Sequence, residues 1–194
     1  QITSAGKLTR LYAFGGGEGA EPAAAPIQAA NGLLYGTTSI GGAANDGTIY
    51  EMTTTGANPF SVSFTGANGI YPYARLIQAT NGTLYGTTSQ LKSGNGTVFA
   101  VTENEGFKTL HKFTGATSGG YPLGGLVQAS NGTFYGTTST GGAHLTGGTV
   151  FSITAAGAFK TIYSFCAKTD CTDGAHPLAA LIQGSDGNRY GTTY

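Results

Sequence analysis

Apolar residues in this chain come in short runs, each closed by glycine, asparagine or threonine, and the same succession of runs recurs. Each round opens at a proline (Pro22, Pro72, Pro122, Pro177). Six residues later a glutamine (Gln28, Gln78, Gln128, Gln183) stands inside an apolar stretch, in PIQA, LIQA, LVQA and LIQG. An Asn-Gly or Asp-Gly pair follows (Asn31-Gly32, Asn81-Gly82, Asn131-Gly132, Asp186-Gly187), and then the tetrapeptide YGTT from Tyr35, Tyr85, Tyr135 and Tyr190. In three of the rounds a glycine-rich segment leads into GTIYEMT, GTVFAVT or GTVFSIT. The round closes on FSVSF, KTLHKF or KTIYSF, ending at Phe64, Phe113 or Phe165. Runs of β-branched and aromatic residues between turn residues predict strands. Each unit therefore reads as four short antiparallel strands. The Asn-Gly pairs predict hairpins with type I′ turns, in which both central residues take positive φ.

The YGTT spacing of about fifty residues, with four strands per unit, matches one blade of a β-propeller. The expected fold is all-β: a β-propeller of four-stranded antiparallel blades, with about four repeats in the chain. The units run over about 22–70, 71–120 and 121–175, with a split fourth unit formed by 176–194 plus 1–21. The N-terminal TSAGKLTRLYAF aligns with TAAGAFKTIYSF, so the N-terminus is expected to supply the end of strand three and all of strand four. Between Thr193 and Thr3 the loop and the start of strand three are missing. Either the ring closes through the two termini, or the chain is a window on a longer array. The window is favoured, with a larger or two-chain ring as its consequence. No signal peptide is visible, so the chain reads as mature after cleavage or as excised from something longer.

The pattern Gln-Ala-x-Asn-Gly-x-x-Tyr-Gly-Thr-Thr, then Gly-Gly, then Gly-Thr-Val-Phe resembles the GloVer-type tandem repeats of bacterial secreted and cell-surface proteins. QATNGTLYGTTS (78–89) with GTVF (96–99), QASNGTFYGTTSTGG (128–142) with GTVF (148–151), and QAANGLLYGTTSIGG (28–42) with GTIY (47–50) carry the likeness. FCAKTDCTDGAHP is similar to that family's inter-repeat linker. The resemblance implies an extracellular or cell-surface location in a bacterium and a repeat fold. It brings no biochemical activity with it.

Composition narrows the function classes. Of 194 residues 34 are glycine, and nine cationic side chains balance nine anionic ones. Without a cationic stripe the chain is a poor binder of nucleic acid, and no apolar run is long enough to span a membrane. The tyrosines and phenylalanines, eleven and ten of them, argue against disorder. Cys166 and Cys171 suggest a local disulfide, with free thiols or a metal as the alternatives. A disulfide implies an oxidising compartment.

Catalytic motifs are absent from the sequence: there is no nucleophile elbow, Walker loop or HExxH. No cofactor or metal is expected. Glu18 and Glu21 are the nearest approach to the carboxylate pair a glycosidase needs, and both fall in one glycine-rich linker. The other carboxylates are Asp46, Asp170, Asp173, Asp186, Glu51, Glu103 and Glu105. The NGT triplets at Asn81, Asn95 and Asn131 read as turns or strand approaches before glycosylation sites. The repeated glutamines and the YGTT tyrosines are expected to be structural, tying blades together.

Up-and-down strands put the one–two and three–four turns on one face, where they are tight and nearly featureless. The two–three loops and the inter-unit linkers share the other face. That face carries Glu21, Tyr71, Tyr121 and His176 at one equivalent position before proline, together with Asn45, Asp46, Lys92 and His144. Variable loops on a rigid scaffold are where binding resides. The expected function is a non-catalytic extracellular module that binds a glycan or protein there. The alternatives are a self-associating surface-array element and the non-catalytic part of a secreted hydrolase or lyase.

Overall fold

The computed structural model describes residues 1–57, 60–90, 92, 94–102 and 106–194. The chain is all-β, with one short 3-10 turn at Thr169–Cys171. The first sheet joins β1 (Ile27–Gln28), β2 (Leu34–Thr38), β3 (Thr48–Met52) and β4 (Phe60–Ser63) in sequence order. The second joins β5 (Ile77–Gln78), β6 (Leu84–Thr88), β7 (Thr97–Thr102) and β8 (Gly106–Lys112). The third joins β9 (Val127–Gln128), β10 (Phe134–Thr138), β11 (Thr149–Ile153) and β12 (Phe159–Ser164). β13 (Ile182–Gln183) and β14 (Arg189–Tyr190) form a two-stranded sheet. Every pairing is antiparallel.

YGTT builds the second strand of the first three units, and each of its positions has a distinct task. Gly36, Gly86 and Gly136 lie opposite Tyr50, Phe99 and Phe151. The facing ring lies over the glycine: a Cβ at Gly136 would stand 2.6 Å from Phe151 Cζ. The last threonine pairs with a threonine on the third strand. The hydroxyls of Thr38 and Thr48, Thr88 and Thr97, and Thr138 and Thr149 are 2.8 Å apart and fully buried. Buried hydroxyls must find partners. Thr48, Thr97 and Thr149 donate to the carbonyls of Glu18, Asn68 and Ser118 in the linker that enters their own unit.

Successive sheets pack through the phenylalanine that ends the fourth strand. Phe64 meets Phe99 and Phe107 of the next unit at ring-centroid distances of 5.2 and 4.5 Å. Phe113 repeats this against Phe151 and Phe159, at 5.2 and 5.7 Å. Each such phenylalanine contributes about 2 kcal/mol by leaving water. Closer to the first strands, Thr37, Thr87 and Thr137 donate to the carbonyls of Ala74, Gly124 and Ala179, each in the following unit.

Equivalent residues of three units come together at one point. A Cβ at Gly125 would lie 3.2 Å from Arg75 O and 3.9 Å from Ala180 Cβ. Stacked sheets ordinarily sit about 10 Å apart, so the segments just before these first strands approach more closely than that.

The structure corrects two expectations. The turns are not type I′: positive φ falls on Gly32, Gly82, Gly132 and Gly187 but not on the preceding Asn or Asp. The side chain explains this, since Asn31 Oδ1 accepts the Leu33 N–H at 3.1 Å and Asn81 Oδ1 the Thr83 N–H at 3.1 Å. That local ring holds Asn at negative φ and leaves the left-handed position to glycine. The N-terminus, in turn, forms no fourth strand. Residues 1–19 carry only an isolated bridge, Ile2 with Leu8. They pack against the first sheet through Phe14 and Tyr50, 4.9 Å apart, and among the described residues no bridge joins them to β14.

Candidate functional site

The four residues before the unit prolines share one unusual backbone state. Glu21, Tyr71, Tyr121 and His176 have φ of 55, 57, 53 and 47°. Left-handed backbone costs a non-glycine residue roughly 1–2 kcal/mol, and it persists only where the surroundings fix both ends of the residue. Here they do. The N–H groups of Tyr71, Tyr121 and His176 donate to Asp46 O, Asn95 O and Gly147 O, each in the two–three loop of the preceding unit. The carbonyls of Glu21, Tyr71 and Tyr121 accept from the N–H of Ser39, Ser89 and Ser139. The hydroxyls of Ser39 and Ser139 add a second bond to Glu21 O and Tyr121 O.

This clamp brings Tyr71, Tyr121 and His176 each against a two–three loop of the preceding unit, so these linkers and loops share a face. The proline rings seal the joint: a Cβ at Gly47 would stand 2.8 Å from Pro72 Cδ. The side chains on the clamps differ. Tyr71 lies parallel to Tyr73 with centroids 5.9 Å apart, and Tyr121 is 37% exposed. Glu21 and His176 are exposed, and His176 Nδ1 lies 2.8 Å from Ser139 O.

The remaining loop residues are less uniform. Asn45 is exposed, but its Oδ1 accepts the Gly41 N–H at 3.0 Å and so supports its own loop. Asp46 is half-buried. Lys92 is exposed and lays its Cβ against Gly66. His144 is exposed at the tip of its loop. Tyr73 escaped the sequence reading, and Asn95 entered it only as an NGT triplet and not as a site residue. The first stacks on Tyr71, and the second is the loop partner of Tyr121.

The disulfide Cys166–Cys171 is present. Its loop is held by Asp173, whose carboxylate accepts the Tyr163 hydroxyl at 2.6 Å and the N–H groups of Ala167 and Lys168. The Tyr163 hydroxyl above all lowers the Asp173 pKa to about 2. Glu18 is engaged in the same manner. Its carboxylate accepts the Gly15 N–H at 2.6 Å and the Tyr12 hydroxyl at 2.8 Å, which hold its pKa below the ordinary value. Glu103 and Glu105 lie outside the described residues. Among the described residues no group of three His, Cys, Asp or Glu side chains is placed to hold a metal ion, and no helix is long and apolar enough to cross a membrane.

The repeated glutamines bridge units. Gln78 Oε1 accepts the Ala30 N–H of the preceding unit at 2.8 Å, and Gln128 Oε1 the Thr80 N–H at 3.0 Å. Gln28, Gln78 and Gln128 donate to the carbonyls of Gly32, Gly82 and Gly132 in their own hairpins. Asn31 and Asn81 hold the Tyr35 and Tyr85 hydroxyls, Tyr190 donates to Asp186, and the Arg189 guanidinium lies 4.0 Å above the Tyr135 ring. Gln183 is half-buried in β13.

The opposite face is not featureless. Between the first and second sheets, beside their hairpin turns, lies a cleft of about 990 Å³ whose walls include Glu51 and Phe60.

A family model described as the Gloeobacter/Verrucomicrobia repeat matches residues 1–194. Comparison with curated proteins returns no match.

Proposed function

The chain belongs to the Gloeobacter/Verrucomicrobia repeat family, and from that premise we propose that its sheets are blades of a β-propeller serving as a non-catalytic extracellular binding module. The glycan or protein ligand sits on the face where linkers and two–three loops meet. The convergence of Arg75, Gly125 and Ala180 supports the radial arrangement, because only wedge-shaped packing narrows sheet spacing toward one edge. The disulfide is compatible with an oxidising, extracellular setting.

One observation supports the binding reading: the left-handed backbone recurs at Glu21, Tyr71, Tyr121 and His176 while the side chain varies among glutamate, tyrosine and histidine. A costly conformation kept at four equivalent positions under three residue types presents side chains at fixed positions, which is how a rigid scaffold displays a recognition surface. Exposed tyrosines suit a partner with both apolar and hydroxyl-bearing surface. A glycan array together with a surface-protein pull-down tests the proposal. Binding that weakens at least several-fold in Tyr71→Ala and Tyr121→Ala supports it. No ligand, or a ligand indifferent to both changes, defeats it.

A second reading, association between copies, draws on the apolar surface of the two-stranded sheet, where Ile182 and Tyr190 are 66% and 50% exposed. Light scattering over a concentration series distinguishes it, since a particle monomeric throughout excludes it.

A further inference from the structure

We infer that the cleft between the first and second sheets is a binding site for a small organic cation, an ammonium group on an apolar body. It lies on the turn side of the molecule, away from the loop-rich face, and is independent of the function proposed there.

The cleft exists because the repeats differ where the sheets meet. Between the second and third sheets His111 lies flat on Phe159, with centroids 3.6 Å apart, and Tyr85 packs on Phe134 at 4.2 Å. The same positions between the first and second sheets hold Val62 in place of His111 and Leu84 in place of Phe134. Two aromatic rings are thus replaced by smaller side chains, and the space they would fill is open. The outer strand adds to this. β8 and β12 each carry a bulge, between Val98/Phe99 and Val150/Phe151 in the register of the third strand, while β4 pairs without one. Phe60 consequently pairs with Glu51 and points into the cleft, 61% exposed. At those two paired positions the second sheet has Ala100 and Lys108, and the third has Ser152 and Lys160.

The polar groups in the cleft decide what it takes. Its amides are committed. Gln78 spans Ala30 N and Gly82 O; Asn81 spans Thr83 N and the Tyr85 hydroxyl; Asn31 spans Leu33 N and the Tyr35 hydroxyl. A saccharide, which needs several free donors and acceptors, is poorly served. Among the described lining residues Glu51 carries the one charge, it is half-buried, and its carboxylate has no hydrogen bond or ion pair within the described structure. Leu33, Val62, Leu84 and Val101 form apolar walls around it, and Phe60 offers an exposed ring face. A carboxylate in an apolar surround attracts a cation more strongly than in water, and an aromatic face adds to that attraction. The volume is that of a small-molecule site.

The test is a titration of isotope-labelled protein with phenethylammonium chloride, against its neutral counterpart 2-phenylethanol, following the backbone amides of residues 49–52 and 100–102. The cation is expected to shift these amides and to bind at least about tenfold more tightly than the alcohol, as a charge-assisted contact implies. Glu51→Gln should erase that tenfold preference. Leu84→Phe, which installs the ring found at Phe134, should abolish binding of both probes while the rest of the spectrum reports an intact fold. Ile162→Ala, an exposed residue of β12 that lines neither the cleft nor the clamps, should leave binding unchanged, and because Tyr71→Ala and Tyr121→Ala test the loop face separately, failure here and failure of that reading remain separate results. Absence of phenethylammonium binding, equal binding of the alcohol, or Glu51→Gln behaving as wild type each overturns the inference.

Discussion

Gly82 and Gly86 lie four residues apart and are glycine for different reasons. Gly82 has φ of 82° and open space where a Cβ would go, whereas a Cβ at Gly86 would stand 2.5 Å from Phe99 Cζ and 2.8 Å from Leu76 Cδ2. Gly82→Ala should therefore cost about 1 kcal/mol through the backbone alone, and Gly82→Asn less, since asparagine tolerates that state. Gly86→Ala should cost about 2–3 kcal/mol by overpacking. Urea denaturation of the three variants checks the order, and a benign Gly86→Ala would show that the ring over the strand has room to move. His111 offers a second test at this scale. Its Nε2 is buried without a partner among the described residues, and burial pushes its pKa below the ordinary value. The unfolded chain then binds the proton more readily than the folded one. The contribution of neutral His111 is complete above the unfolded pKa of about 6.5 and is lost as pH falls from there toward the lower folded value. Thermal unfolding between pH 7.5 and 5.5 should show that decline, and His111→Phe should flatten it.

Strand content and strand order could be read from the repeat, because turn residues and β-branched runs act locally. The register could not. β8 and β12 carry a bulge and β4 does not, and PFSVSF and FKTLHKF do not announce the difference. The same limit applied to the cleft: Glu51 and Phe60 depart from the repeat visibly in sequence, yet only the pairing shows that they face one space. The clamped residues fared better, since their place before proline marked them, although nothing local foretold positive φ. The disulfide loop is the element where local reading sufficed. Closing a loop this short is worth about 2 kcal/mol, so the Cys166→Ser/Cys171→Ser double variant should lose about that in a denaturation experiment. Asp173 secures the same loop. Its pKa of about 2 means that its support is present above the ordinary carboxylate range near ~4 and is lost as pH falls from there toward about 2. Amide exchange at Ala167 and Lys168 should accelerate over that interval relative to the slower chemical exchange expected in acid, and Asp173→Asn should accelerate it already at pH 6.

At the scale of the whole molecule the units interact in two places. Phe64 and Phe113, which follow the fourth strands, are each covered by rings of the next unit. Near the first strands only backbone and small side chains intervene, and Thr37, Thr87 and Thr137 reach directly to the next unit's carbonyls. Sheets in a straight stack would keep one spacing throughout, and a side chain added to one sheet would press on the neighbour it faces. In a wedge, a side chain added at the narrow edge meets both neighbours at once. Gly125 is the residue that separates these cases, since its Cβ position is close to Arg75 O on one side and to Ala180 Cβ on the other. Gly125→Leu should therefore raise amide exchange around residues 74–78 of the second unit and 180–184 of the fourth together, with β10 and β11 still protected by Phe151. A response confined to one neighbour would favour the straight stack, and it would remove the reason for placing the four clamped residues on a common face.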